Sequence, residues 1–166
     1  MLTFTVIAGN LLVEMPKGPE KFEVIGMHKS FGALILILVL LRLLWRLINM
    51  VPKEIEGSDP QLNRLAHGMH ALLYLLMFAQ PISGMLMSQA AGYPVHLFGL
   101  FEFPVMLEKS PALGEWLHAA HGTIWIVLAV AVVGHAGAAL YHHFIRRDQV
   151  LQRMTFGQSE PVNRGE

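Results

Sequence analysis

Apolar residues in this chain run in long stretches, with little of the alternation or one-sided stripe of a soluble fold. HKSFGALILILVLLRLLWRLINM, residues 28–50, carries after Lys29 no charge until Arg42 and Arg46 near its end. LAHGMHALLYLLMFAQPISGMLMS, residues 65–88, and the stretch 116–145 contain no Asp, Glu, Lys or Arg. A helix of about 20 apolar residues crosses the hydrocarbon core of a bilayer, so each run predicts a transmembrane span. Pro81 is expected to kink the 65–88 span. Residues 1–13, MLTFTVIAGNLLV, are apolar but too short to cross alone. They lack the basic start and small-residue cleavage site of a signal peptide. They read as the second half of a span, and the natural chain is expected to begin upstream.

Polar connectors separate these runs. EMPKGPEKFE (14–23) and PKEIEGSDP (52–60) are short and rich in proline and charge. The 90–115 connector is longer and punctuated by Gly92, Pro94, Gly99, Pro104 and Pro111. Its apolar patches VHLFGLF and FPVML predict that it lies on the membrane surface. The fold class is therefore an all-α membrane protein. It is a four-helix transmembrane bundle with an incomplete first helix, forming one domain over residues 1–166. Its spans lie at about 1–13, 28–50, 65–88 and 116–145.

Composition agrees: 54% of residues are hydrophobic and 14% charged, against about 25% charged in soluble domains. The zero net charge gives no reason to expect nucleic acid. The absence of cysteine excludes disulfides, thiolate-bound iron–sulfur clusters and covalent haem attachment. No phosphate-binding glycine loop and no His-Glu-x-x-His motif occurs. Basic residues set the orientation. Arg42, Arg46, Lys53 and Arg64 flank the 52–60 connector, and Arg146, Arg147, Arg153 and Arg164 lie in the tail. Both segments are expected in the cytoplasm, as are both termini of the full-length chain. The 14–23 and 90–115 connectors then lie outside.

The histidines carry the candidate chemistry. An ionisable residue inside a span is costly and is read as functional. His121 and His135 lie fourteen residues apart in the last span, on roughly one face and about 21 Å apart along the axis. That offset puts one imidazole near each side of the membrane. Imidazole is a usual axial ligand of haem iron, so this helix is read as carrying one ligand for each of two haems. His28 begins its span at the outer depth of His121 and can face it across one haem. His135 needs a partner near the cytoplasmic side. His67 and His70 lie at that depth and are candidate substitutes, and they are otherwise interfacial polar residues. His142, seven residues past His135, suits a quinone carbonyl or a haem propionate, or is an interfacial histidine. Histidines in membrane helices also serve as interhelical hydrogen-bond partners.

PKGPEKFE followed by MHKSFGALILILVLLRLLWRL, then RLAHGMHALLYLLMFAQPISGMLMS and GYPVHLFGLFEFP, resemble the first loop, second and third spans and outer connector of the bacterial cytochrome b561 family. The last span, with His121, His135 and His142–His143 before Arg-Asp, is similar as well. The resemblance implies a four-helix membrane cytochrome holding two b-type haems between histidine pairs. It also implies electron transfer with ubiquinone as one partner, including oxidation of superoxide on the outer side. On this likeness His28, His121 and His135 match axial ligands. The fourth family ligand, a histidine near the start of the first span, has no counterpart, since no histidine precedes His28. The second haem is therefore expected to be held weakly, or through His67 or His70. Expected surroundings are membrane lipid, quinone, an outer-side electron donor and the bacterial inner membrane. Lys17, Lys21 and Lys29 are candidates for drawing an anionic donor. Two other functions fit the same residues: a haem-bearing anchor subunit of a dehydrogenase or hydrogenase, and a cofactor-free histidine-bearing bundle or metal transporter.

Overall fold

The computed structural model describes residues 2–49 and 60–146. Four helices account for most of them: α1 (Leu2–Glu14), α2 (Pro19–Ile48), α3 (Pro60–Ala90) and α4 (Pro111–Tyr141). A π-helical turn, His142–Arg146, ends α4. Helices α2, α3 and α4 are each long and apolar enough to span a membrane, whereas α1 has only 13 residues. Each helix packs on its neighbour in sequence, most extensively α3 on α4. Helices α2 and α4 do not pack backbone to backbone, and side chains reach between them. Large apolar side chains such as Trp45 and Val130 are 71% and 69% exposed. So much continuous apolar surface is accounted for when lipid covers it.

The helices begin earlier than the hydrophobic runs. Helix α2 starts at Pro19, so residues 19–23 of the expected polar loop are helical. Proline's fixed φ suits the first helical position, and Glu20 in the first turn complements the helix dipole. Helix α4 starts at Pro111, and the hydroxyl of Ser110 caps it by accepting from the Leu113 amide at 3.4 Å. Helix α3 continues through Pro81 to Ala90. Lys53 and the tail arginines Arg147, Arg153 and Arg164 lie outside the described residues.

Between α3 and α4 the chain builds a small cap over one end of the bundle. Strands β1 (His96–Leu97) and β2 (Phe101–Glu102) pair antiparallel. Phe98 and Gly99 both have positive φ, at 52° and 74°, as a tight hairpin turn requires. Val95, 1% exposed, plugs the cap into a cluster with Ala33 and Met85. Polar side chains of the spans fasten it. Ser30 donates to the His96 carbonyl at 3.0 Å and accepts from the Phe98 amide at 3.1 Å. Gln89, 3% exposed, donates to the Pro104 carbonyl at 2.9 Å and accepts from the Met106 amide at 3.0 Å. A second apolar cluster, Leu76, Leu128 and Ala131, holds α3 to α4 lower down.

Candidate functional site

His28 on α2 and His121 on α4 meet across the gap between these helices, with ring centroids 6.3 Å apart and planes at 85°. Two imidazoles on opposite faces of one iron would stand about 6.2 Å apart, from metal–nitrogen bonds of about 2.0 Å and about 1.1 Å from nitrogen to ring centre. The observed spacing matches that requirement.

Both rings are also held in one orientation. Nδ1 of His28 lies 3.1 Å from the Thr5 carbonyl of α1. Nδ1 of His121 lies 3.0 Å from the Gln80 carbonyl and 3.0 Å from the Ser83 hydroxyl. A carbonyl only accepts, so each Nδ1 is the N–H and each neutral ring keeps the lone pair of Nε2 for a metal. The lone pair of His121 accepts instead from the Gln80 carboxamide, 3.1 Å away. This leaves Oε1 of Gln80 buried with no hydrogen-bond partner. Such an orphaned polar atom marks a site whose resting contacts are incomplete.

Glycines admit the rings. A Cβ at residue 84 would stand 2.8 Å from Cε1 of His121, and one at residue 9 would stand 3.3 Å from Cε1 of His28. The first is too close for any other residue without a shift, so Gly84 lets α3 abut the His121 imidazole. The donor set, ring orientation and spacing fit a haem between His28 and His121.

The other histidines separate into two groups. His135 on α4 has its ring centroid 5.3 Å from that of His70 on α3. The structure thus brings together two residues of the second expected site. Their spacing is about 1 Å shorter than two imidazoles across one iron require. His67, one turn before His70, is exposed. His142 sits in the terminal π turn, 6.1 Å from the Tyr141 ring. His118 lies with Nδ1 3.3 Å from the sulfur of Met87. Among the described residues, no group of three or more His, Cys, Asp or Glu gathers at one point. Two histidine pairs face each other between helices, His28 with His121 and His70 with His135.

Reasoning from the histidines alone misses Gln80, Ser83, Gly84 and Gly9. Gln80 had a signal, as the one carboxamide in the uncharged 65–88 run. The contribution of the Thr5 backbone carbonyl carries no side-chain signature.

Comparison with known proteins gives the family of the chain. A family model described as prokaryotic cytochrome b561 matches residues 1–157. Cytochrome b561 homolog 2 of Escherichia coli (strain K12) is 38% identical over 140 residues, covering 83% of this chain and 70% of that protein. A protein of Yersinia pestis named probable superoxide oxidase CybB is 34% identical over 128 residues, covering 76% of this chain and 72% of the relative. Cytochrome b561 homolog 1 of Escherichia coli (strain K12) is 28% identical over 156 residues, covering 92% and 87%. With its membrane-length helices and its facing histidines, this chain belongs to the prokaryotic cytochrome b561 family, bacterial membrane proteins that carry electrons on b-type haem.

Proposed function

We propose that the protein passes electrons from a one-electron donor on the outer side of the bacterial inner membrane to ubiquinone, with superoxide as the candidate donor. The observation that carries this reading is the His28–His121 pair at 6.3 Å, with the Nδ1 of each ring engaged by a backbone carbonyl. Haem, when bound, supplies one-electron redox chemistry there. Two imidazoles holding the iron would leave no position for oxygen, which favours electron transfer. His28 and His121 would hold and orient the group, and the cap of residues 91–110 covers that end of the bundle.

The basic-residue bias supports placing the cap outside and the ends of α2 and α4 in the cytoplasm. His135, about 21 Å from His121 along α4, is then the ligand for a second haem nearer the cytoplasm. Superoxide is anionic, and positive charge near the outer site would draw it. Lys29 lies there, half-buried, donating to the Ser88 hydroxyl at 3.1 Å and the Pro94 carbonyl at 2.8 Å. Lys21 donates to the Met15 carbonyl at 2.9 Å. The name of the Yersinia pestis relative supports superoxide as donor.

The test is a reduced-minus-oxidised absorption spectrum of the purified protein, followed by superoxide-driven ubiquinone reduction in proteoliposomes. A b-type spectrum with superoxide-dependent quinol formation is expected. A spectrum that superoxide leaves oxidised would remove superoxide as donor.

A further inference from the structure

One basic side chain is folded into the cap end of the bundle. Lys29 follows His28 on α2, and the two residues turn to different neighbours. His28 reaches the Thr5 carbonyl of α1. Lys29 donates to the Ser88 hydroxyl of α3 at 3.1 Å and to the Pro94 carbonyl of the cap at 2.8 Å. Ser88 is buried and donates in turn to the Tyr93 carbonyl at 3.1 Å. Its oxygen therefore keeps its lone pairs for the ammonium. Both partners of Lys29 are neutral.

A lysine that only anchors a span extends along its helix to water. This one is half-buried and reaches across to α3 and the cap. Among the described residues no carboxylate stands within ion-pair reach of it. Glu102 of the cap faces His96 instead, 3.7 Å away. A charge drawn out of water is costly when only dipoles hold it. Fastening the cap does not require that cost, since Ser30 and Gln89 fasten it with neutral groups. Fastening alone thus gives no reason for a charge at this position, one residue from His28.

We propose that the Lys29 ammonium sets the redox poise of the site between His28 and His121, by holding one fixed and unneutralised positive charge beside it; this rests on the haem reading above. Reduction of the site adds one electron from the outer donor, and no covalent bond forms or breaks. A positive charge fixed nearby stabilises the added negative charge. Ser88 and Pro94 hold the ammonium in place, so it need not reorganise when the electron arrives. One unit charge on the order of 12 Å away, the reach of two neighbouring side chains, changes such an equilibrium about tenfold at an effective dielectric of about 20. With Lys29 in place the site takes an electron from a weaker reductant than it otherwise would.

The experiment is a potentiometric titration of the full-length, haem-loaded protein, read at the reduced b-type absorption band. The centre in question is the component that His28→Ala removes. Lys29→Gln keeps an N–H donor for Ser88 and Pro94 but removes the charge. Its equilibrium constant for reduction should fall about tenfold, which is about 59 mV for one electron. Lys29→Arg keeps the charge and should match the parent. Ser30→Ala removes two hydrogen bonds of the cap, leaves the charge, and should also match the parent. Lys29→Met makes the same test if Lys29→Gln fails to fold. An unchanged potential in the uncharged variant overturns the proposal. An equal fall in Ser30→Ala assigns the effect to the seal of the cap against water and overturns it as well. An equal fall in Lys29→Arg assigns it to the shape of the side chain, again against the proposal. The b-type spectrum of the parent protein is read first, so failure of the haem reading is distinct from failure of this one.

Discussion

Gln80 addresses both ring nitrogens of His121: its carbonyl lies 3.0 Å from Nδ1 and its carboxamide nitrogen 3.1 Å from Nε2. The first contact orients the ring for a metal, and the second occupies the position the metal would take. A haem held on His121 would take the place of that side chain, and the backbone contact would still orient the ring. Gln80→Leu removes the competing donor and the buried, unpartnered Oε1. The variant should bind haemin at least as tightly as the parent, with apo-protein stability little changed, because losing the unpartnered Oε1 also leaves Nε2 of His121 without its donor. Haemin titration of the apo-protein checks this, and a markedly weaker affinity would show that the Gln80 carboxamide supports the bound group.

His28 and His121 should act as one unit. If both ligate the same iron, His28→Ala and His121→Ala each remove that haem, and the double variant loses no more than either single one. Non-additivity of this kind is expected for two groups sharing one partner. A pyridine haemochrome assay gives haem per polypeptide. Independent, additive losses would mean that the two residues serve different groups.

Glycine packing against the imidazoles makes a graded prediction. Gly84→Ala puts a Cβ 2.8 Å from Cε1 of His121, whereas Gly9→Ala puts one 3.3 Å from Cε1 of His28. Gly122, one residue past His121, has open space at its Cβ position. Gly84→Ala should cost about 1–3 kcal/mol or push the ring off its axis. Gly9→Ala should cost less, and Gly122→Ala should be near neutral. Thermal unfolding together with haem content ranks the three. Equal behaviour of Gly84→Ala and Gly122→Ala would refute the close contact.

Depth was the legible part of the sequence. The uncharged runs reveal three spans, and one helical rise per residue places His28 level with His121 and His135 well below them. Helix starts were less legible, because proline at a first helical position reads equally as part of a loop. The cap was hidden for another reason. Its fastening depends on Ser30, Ser88 and Gln89, small polar residues that look unremarkable in sequence and acquire partners only when a loop folds back over them. The pairing of His70 with His135 followed from depth, whereas the tie of Lys29 to Ser88 required knowing which faces α2 and α3 turn to each other.

Gln89 holds the cap from inside the membrane-length helix α3. Its carboxamide satisfies one carbonyl and one amide of residues 104–106. Gln89→Leu is nearly isosteric but leaves both backbone groups without that partner. Each orphaned group costs about 1–3 kcal/mol where water cannot replace the bond. The expected outcome is faster proteolysis between residues 103 and 108, with haem content at His28 and His121 largely retained. Cleavage rates equal to those of the parent would mean that Val95 and its cluster hold the cap unaided.

The two histidine pairs differ in spacing, and that difference predicts different losses. At 6.3 Å, His28 and His121 leave room for an iron between them; at 5.3 Å, His70 and His135 do not. For an iron to sit between the second pair, α3 and α4 would have to part by about 1 Å. These two helices pack most extensively in the bundle and are pinned close by through Leu76, Leu128 and Ala131. Separating them would lose dispersion contacts along both helices. His135→Ala should therefore lower haem content, as the reading of His135 as an axial ligand requires. His70→Ala should leave haem content unchanged. Haemochrome stoichiometry on the two variants separates the roles. Equal loss of one haem in both variants would make His70 an axial ligand after all, and would require the α3–α4 seam to open when haem binds.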